Sequence, residues 1–196
     1  MTWKITQAEF LRAIVDPSQA PPRRPAVAFA GRSNVGQSSL INSLLDGRKL
    51  ARTSSTPGCT QQVVYFGINN EYYFIDLPGY GWAKAPPRER ARWGGMMERF
   101  LRSVEALRLV VLLVDIRREP TAEDMQMVEW LESAGHPFIF AVTKCDKVAR
   151  GERKRSLRAL QAALGLPDAT ALVPVSARSG EGVEDLRGVI GSALKE

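Results

Sequence analysis

Short apolar runs recur along this 196-residue chain, and longer segments with helical spacing of apolar positions separate them. Four such runs begin near Ala26, Leu109, Phe138 and Ala171. Strands that are separated by helices favour a parallel sheet, because a parallel connection must cross back over the sheet. The pattern therefore predicts an α/β fold.

Two further runs predict a pair of antiparallel strands. Residues 63–68 and 71–76 are joined only by Asn69-Asn70, a short turn of residues that tolerate positive φ. The predicted fold class is thus a mostly parallel sheet with one antiparallel edge hairpin and helices on both faces.

The sequence also predicts the organisation of the N-terminal segment and the start of one later helix. Residues 8–14 predict a short amphipathic helix, and the Pro- and Arg-rich segment 21–25 reads as a linker. We expect an N-terminal extension over 1–22 and one domain over 23–196. Further along, Thr121 to Asp124 resembles a capping-box start, followed by a stripe to be buried, at Met125, Val128 and Leu131.

Composition adds limits on class and compartment. A hydrophobic content of 44% suffices for one well-packed domain. No signal peptide and no membrane-spanning run is visible, so we expect a cytoplasmic protein. Cys59 and Cys145 are expected to be reduced, His136 to be structural, and no cluster of His or Cys suggests a metal site.

The segment Gly31-Arg-Ser-Asn-Val-Gly36-Gln37-Ser38 follows the first parallel run and has the form of a phosphate-binding loop. Such a loop points backbone N–H groups at an anion, and the following helix N-terminus adds positive potential. Ser38 would place its hydroxyl on Mg²⁺, and Asn34 could help to hold K⁺. Gln37 stands where the pattern Gly-x-x-x-x-Gly-Lys-[Ser/Thr] has lysine. An ordinary glycine-rich turn is the alternative for this segment alone.

Two later segments fit the γ-phosphate side of such a site. Asp76-Leu-Pro-Gly79 follows an apolar strand, so Asp76 can reach Mg²⁺ through water and the Gly79 N–H can meet a γ-phosphate. Between the two phosphate elements, Thr60 lies in a polar loop and is a second hydroxyl ligand candidate for Mg²⁺ when a γ-phosphate is present. A plain surface connection is the alternative for that loop.

The guanine end is predicted from two strand ends. Thr143-Lys144-Cys145-Asp146 has the form of a guanine-reading motif, in which the carboxylate accepts from N1–H and the exocyclic amine and the lysine stem covers the base. Val175-Ser176-Ala177 would offer a backbone N–H to the guanine carbonyl. A P-loop ATPase or kinase is disfavoured, because adenine lacks the donors that Asp146 would read.

In this order the motifs resemble the EngB-type GTPases (YihA/YsxC), small bacterial relatives of Era. The resemblance covers Gly31 to Asn42, Thr56 to Gln61, Asp76 to Ala83 and Thr143 to Asp146, within a stretch from about Arg23 to the C-terminus. It implies a GTP/GDP- and Mg²⁺-binding protein that assists large ribosomal subunit assembly and is needed for normal cell division and septation. The nucleotide-binding residues implied are Gly31, Arg32, Ser33, Asn34, Val35, Gly36, Gln37, Ser38, Gly58, Cys59, Thr60, Gln61, Gln62, Asp76, Leu77, Pro78, Gly79, Thr143, Lys144, Cys145, Asp146, Val175, Ser176 and Ala177.

Hydrolysis is expected to be slow. The residues near the γ-phosphate would be Gln37, Thr60 and Gly79, and the next residue, Tyr80, cannot orient a water as an amide can. A partner or K⁺ would then supply the missing positive charge. The alternative is a hydrolysis-deficient RNA-binding scaffold on a GTPase fold.

A net charge of +6 suits a polyanionic partner, which the resemblance identifies as the ribosomal large-subunit precursor, its RNA and proteins. Solvated helix faces are the alternative for each arginine run. We expect a monomer, with Tyr80 and Trp82 outside the core, facing a partner or packed on a neighbouring helix. The basic runs are Arg88-x-Arg90-x-Arg92, Arg117-Arg118 and Arg150-x-x-Arg153-Lys-Arg155.

Overall fold

The computed structural model describes residues 3–51, 62–80, 95, 97–167 and 172–196. The strands are β1 Ala8–Ile14, β2 Ala26–Gly31, β3 Val63–Ile68, β4 Tyr72–Asp76, β5 Leu107–Asp115, β6 Phe138–Thr143 and β7 Leu172–Pro174. The helices are α1 Gln37–Leu44, α2 over 97–103, α3 Ala122–Ala134, α4 Arg150–Ala163 and α5 Val183–Lys195.

The described strands form one seven-stranded sheet in the order β1-β3-β4-β2-β5-β6-β7. β2 pairs in parallel with β4 and β5, and β6 pairs in parallel with β5 and β7. The hairpin prediction is confirmed, since β3 and β4 are antiparallel and Asn69 and Asn70 take φ of 52° and 57°. The predicted fold class is therefore confirmed.

The N-terminal prediction of a helix over 8–14 is wrong, because these residues form the edge strand β1, antiparallel to β3. A helix this short is marginal in water, whereas the free edge of β3 offers a ladder of backbone partners. The Asn69 side chain also holds the preceding segment, accepting from Thr6 N and Gln7 N and donating to Lys4 O. Trp3 is buried in the core, so the first described residues pack on the same sheet.

Helices cover both faces of the sheet, as predicted. Alternate residues of β2 enter different clusters: Ala28 packs with residues of α2, α3 and α4, whereas Phe29 packs with residues of α1 and α5. The predicted start of α3 is present, since the Thr121 N–H donates to the Asp124 carboxylate at 2.8 Å. Along α3, Met127, Val128 and Leu131 are buried and Met125 is partly buried.

This topology positions the site. Because β2, β4, β5, β6 and β7 run in parallel, their carboxyl ends lie at one edge of the sheet. In open α/β sheets, ligands bind outside that edge. The predicted phosphate and guanine segments all follow those strand ends.

Candidate nucleotide-binding site

The loop between β2 and α1 has the backbone of an anion site. Gly36 is the N-cap of α1 with φ of 102°, a conformation that L side chains rarely adopt. α1 begins at Gln37, so its first N–H groups have no acceptor within the helix and face the loop. The loop and helix thus provide the backbone donors and the positive helix end that a phosphate needs.

The Gln37 side chain is turned towards the sheet. Its Nε2 lies 2.6 Å from Asp76 Oδ1, 2.7 Å from Leu77 O and 2.9 Å from Phe29 O. An amide nitrogen carries two protons, so it cannot donate to all three oxygens at once. Gln37 therefore links the phosphate loop to the end of β4, and its amide must leave these contacts to reach a phosphate.

Asp76 lies at the end of β4 as predicted. Burial raises the pKa of its carboxyl to about 6, although the hydrogen bond from Gln37 acts in the opposite direction. A carboxylate in this setting is poorly solvated, so a nearby cation would offset its charge. The donor set of Asp76 with the half-buried Ser38 hydroxyl is all oxygen, which suits Mg²⁺.

Residues 77–80 run directly beside the phosphate loop. Leu77 N donates to Phe29 O and Tyr80 N to Gly31 O, while Ser33 N donates to Tyr80 O. A Cβ on Gly79 would lie 3.1 Å from Ser33 N, so this close approach favours glycine. The structure thus places Gly79 directly beside the phosphate loop.

The expectation that Tyr80 lies outside the core is wrong. Tyr80 is 4% exposed, and its hydroxyl donates to Asp124 Oδ1 at 2.8 Å. Burial and the Asp124 carboxylate keep the pKa of this phenol well above its ordinary value. A buried tyrosine is tolerated because its hydroxyl finds a partner on α3, which the sequence spacing did not reveal. Trp82 lies outside the described residues.

The segment 143–146, which the sequence predicts to read guanine, begins at the end of β6. Lys144 takes φ of 60°, and a short 3-10 helix covers Cys145–Lys147. The Asp146 carboxylate accepts from Ser176 Oγ at 2.8 Å, and this bond is the main cause that lowers its pKa. Asp146 is therefore held as an ionised acceptor.

The segment 175–177 lies against the guanine-reading segment. Val175 N donates to Val142 O, and Cys145 N donates to Val175 O. Ser176 is fully buried and holds Asp146 through its side chain, a role that sequence reasoning did not assign to it. The two segments form one unit at the ends of β6 and β7.

Thr143 and Lys144 connect the guanine end to the phosphate loop. Thr143 Oγ1 lies within hydrogen-bond distance of Val35 O at 2.9 Å and Val114 O at 3.1 Å. Lys144 Nζ donates to Asn34 O at 2.8 Å, which holds its stem across the end of the loop. The contact fixes the Lys144 side chain between segment 143–146 and the phosphate loop.

Sequence reasoning missed Asp115, at the end of β5. Asp115 is 6% exposed and its Oδ2 lies 3.1 Å from Lys144 Nζ. Burial alone would raise the pKa of Asp115, but hydrogen bonds from Arg117 and Lys144 hold it well below its ordinary value. The sequence signal that could have identified Asp115 is an acidic residue at the end of a central parallel strand. Arg117, predicted to lie in a basic run, donates to both oxygens of Asp115.

We expect Asp115→Asn to weaken GDP binding by on the order of tenfold, because Lys144 loses a charged partner that holds its stem. Asparagine keeps the shape but loses the ion pairs with Arg117 and Lys144, which favour the ionised carboxylate in the folded state. Thermal unfolding of the free protein should therefore also shift to a lower temperature, and the titration is made well below it. The same substitution in a Lys144→Met background should cause no further loss. Titration of fluorescent GDP onto the four proteins checks this. Equal affinity of Asp115→Asn and the parent would contradict a positioning role.

Several predicted residues cannot be placed. Gly58, Cys59, Thr60 and Gln61 lie outside the described residues, and Gln62 is exposed immediately before β3. Across the described ranges, no group of three or more His, Cys, Asp or Glu could hold a metal by itself. Segments 31–38, 76–80, 143–146 and 175–177 are brought together at one edge of the sheet.

Comparison with known proteins identifies this arrangement. A family profile described as a 50S ribosome-binding GTPase matches residues 26–144. The probable GTP-binding protein EngB of Syntrophus aciditrophicus is 47% identical over 97% of this chain and 98% of its own length. The probable EngB of Clostridioides difficile is 46% identical over 93% of this chain and 91% of its own. The chain belongs to the EngB family of GTP-binding proteins.

Solved structures agree with this family assignment. A crystal structure of a probable EngB superposes with a TM-score of 0.72 at 27% identity, covering 87% of this chain and 98% of that one. Era in complex with MgGDPNP and a segment of 16S ribosomal RNA superposes with a TM-score of 0.67 at 26% identity, covering 87% of this chain and 57% of Era.

Within the described ranges of this EngB-family chain, no helix combines the length and apolarity needed to span a membrane.

Proposed function

We propose that this EngB-family protein is a cytoplasmic, monomeric GTPase switch that acts in large ribosomal subunit assembly and is needed for normal cell division and septation. The observation that carries the nucleotide part is the convergence of a phosphate loop, Asp76, Gly79 and Asp146 at one edge of the sheet. GTP would bind with its phosphates over 31–38 and its base at Asp146.

Mg²⁺ fits the residues that are present. Ser38 would hold it directly, Asp76 would hold it through water, and Thr60 would join only with a γ-phosphate. When bound, the ion neutralises charge on the phosphate oxygens. This chain's own residues then orient the phosphates through the loop amides and exclude alternative bases through the Asp146 carboxylate.

Slow hydrolysis follows from the side chains near the γ-phosphate. Phosphoryl transfer to water depends on positioning and on stabilising the charge that develops in the transition state. Gln37 carries no charge, and the hydroxyl of Tyr80 is committed to Asp124. K⁺ near Asn34, or a bound partner, would supply the missing positive charge.

A hydrolysis-deficient RNA-binding scaffold is the second candidate. The contact of the Gln37 amide with Asp76 favours it, because that contact occupies a carboxylate that Mg²⁺ would need. The chain retains Ser38, Asp76 and Asp146, however, and a decayed site should have lost more than one ligand. We therefore favour the switch.

Removing the two predicted hydroxyl ligands of Mg²⁺, Ser38 and Thr60, one at a time tests whether the protein is a GTP-dependent switch. Ser38→Ala should weaken GDP and GTP binding alike in the presence of Mg²⁺, by roughly tenfold, because a ligand used in both states is lost. Thr60→Ala should spare GDP and weaken only a non-hydrolysable GTP analogue. Titrations with both nucleotides, with and without Mg²⁺, check this. Equal losses of GDP and GTP for Thr60→Ala would contradict the switch.

The ribosomal part of the proposal is supported by charge and by relatives. The family profile is described as ribosome-binding, and the superposed Era carries ribosomal RNA. The net charge of +6 is suited to RNA phosphates. Two arginines of the basic runs form intramolecular ion pairs, Arg117 with Asp115 and Arg153 with Glu181. Fewer arginines are therefore available to RNA than the sequence suggests.

A further inference from the structure

Helix α4 carries a line of cations on one side. Arg150, Lys154 and Arg158 are all exposed and are spaced four residues apart. Four residues advance an α-helix by about 6 Å and complete slightly more than one turn of 3.6 residues, so the three side chains follow one another along the same face. We call these three residues the α4 stripe.

Within α4, no acidic residue lies three or four positions from a member of the stripe; the exposed Glu152 is two positions from Arg150 and Lys154 and does not face them. The helix positions three or four residues away from its members are Gly151, Arg153, Arg155, Leu157, Gln161 and Ala162, besides the members themselves. Like charges four residues apart destabilise a helix, so the stripe does not serve the stability of α4. Its charges are left available for an external anion.

Arg153 shows the contrast within the same helix. Its side chain is 16% exposed, donates to Val148 O and forms an ion pair with Glu181. No ion pair of this kind involves the stripe among the residues that the structure describes. One cation of α4 is thus used internally and the stripe faces outward.

The apolar residues of α4 do not suit a membrane as the natural partner. Leu157 and Leu160 pack into the core, so the helix has no free apolar face to insert into lipid. The exposed residues near the stripe are cationic, polar or small. This surface can bind phosphates by charge but offers no apolar anchor.

The stripe also continues towards the nucleotide site. α4 begins three residues after the 3-10 helix Cys145–Lys147, which contains the guanine-reading Asp146. Lys147 and Arg178 are exposed and lie close enough to Asp146 to lower its pKa. The cationic surface therefore begins beside the guanine end of the site.

We propose that the α4 stripe is the surface by which this protein binds the phosphate backbone of ribosomal RNA. This inference rests on the proposed function, which names the RNA partner, and adds the place at which it binds. The contact is electrostatic and reads no sequence, so other elements must supply specificity. Its position beside Asp146 places bound RNA next to the nucleotide.

The test removes the three charges without disturbing the helix. The triple variant Arg150→Gln, Lys154→Gln and Arg158→Gln keeps good helix formers and removes like-charge repulsion, so its thermal stability should equal or exceed that of the parent. Its affinity for a transcript of large-subunit ribosomal RNA should fall by on the order of tenfold or more at low salt. The slope of log affinity against log salt should decrease by about two to three. GDP binding should stay at the parental value.

A matched control removes the same charge elsewhere. Lys4, Arg108 and Lys195 are exposed outside α4, and their replacement by glutamine should leave RNA affinity within about twofold of the parent. Equal losses in the two triple variants would overturn the stripe while leaving the RNA partner in place. If the unmodified protein bound phosphatidylserine vesicles but no RNA, or bound neither, the proposed role of the stripe and the RNA part of the proposed function would both be wrong.

Discussion

Asp146→Asn should weaken GDP binding by about a hundredfold or more and should give the protein a preference for xanthine nucleotides. The carboxylate would accept two hydrogen bonds from guanine, and each charged hydrogen bond contributes roughly 1.5–3 kcal/mol. An amide offers a donor where guanine also has donors, but xanthine has a carbonyl at that position. Titration with fluorescent GDP and XDP measures both affinities.

The structure supplies a control for this experiment. Asp185 is exposed in the first turn of α5 and lies outside the four site segments. Asp185→Asn removes the same charge with the same change of shape. That variant should bind GDP as the parent does. If Asp146→Asn also retained parental GDP affinity, residues 143–146 would not be the guanine-reading segment.

Gln37→Lys should tighten GTP binding by on the order of tenfold or more and raise turnover. An ammonium group at this position would neutralise charge that develops at the β–γ bridge, where the amide of Gln37 supplies only a neutral donor. The loop amides and Asp146 are unchanged by the substitution, so the parent should still bind GDP. Nucleotide titration and single-turnover phosphate release measure the two effects.

Gln37→Met separates the added charge from the lost contact with Asp76. Methionine has a similar length and no donor, so it frees Asp76 from the 2.6 Å contact without adding a cation. We expect no gain in GTP turnover for this variant. A gain equal to that of Gln37→Lys would show that release of Asp76, and not the ammonium group, limits the parent. A lysine variant no better than the parent would mean that another group already supplies the charge.

Local sequence predicted several elements of the sheet and of the site well. β2, the start of α1 at Gln37 and the hairpin at Asn69-Asn70 each depend on signals within a few residues, namely apolar runs, glycines and turn asparagines. Because each motif follows a predicted strand, the sequence also predicted that the motifs meet at one edge of the sheet. Local chemistry and topology were sufficient for these features.

The features that the sequence did not predict depend on contacts between distant segments. β1 forms because β3 presents an open edge and Asn69 holds residues 4–7, both far along the chain. Tyr80 is buried because Asp124 of α3 accepts its hydroxyl. Asp115 matters through Lys144, which follows the neighbouring strand β6. Pairings of this type are visible only once the fold has brought the partners together.

Direct titration of the unmodified protein with fluorescent GDP, GTP and ATP, with and without Mg²⁺, tests the central claim. We expect saturable binding of both guanine nucleotides, stronger with Mg²⁺, and no measurable competition by ATP at the same concentrations. Binding of ATP as tight as that of GTP, or no binding of either guanine nucleotide, would contradict the assignment of this edge of the sheet as a GTP site.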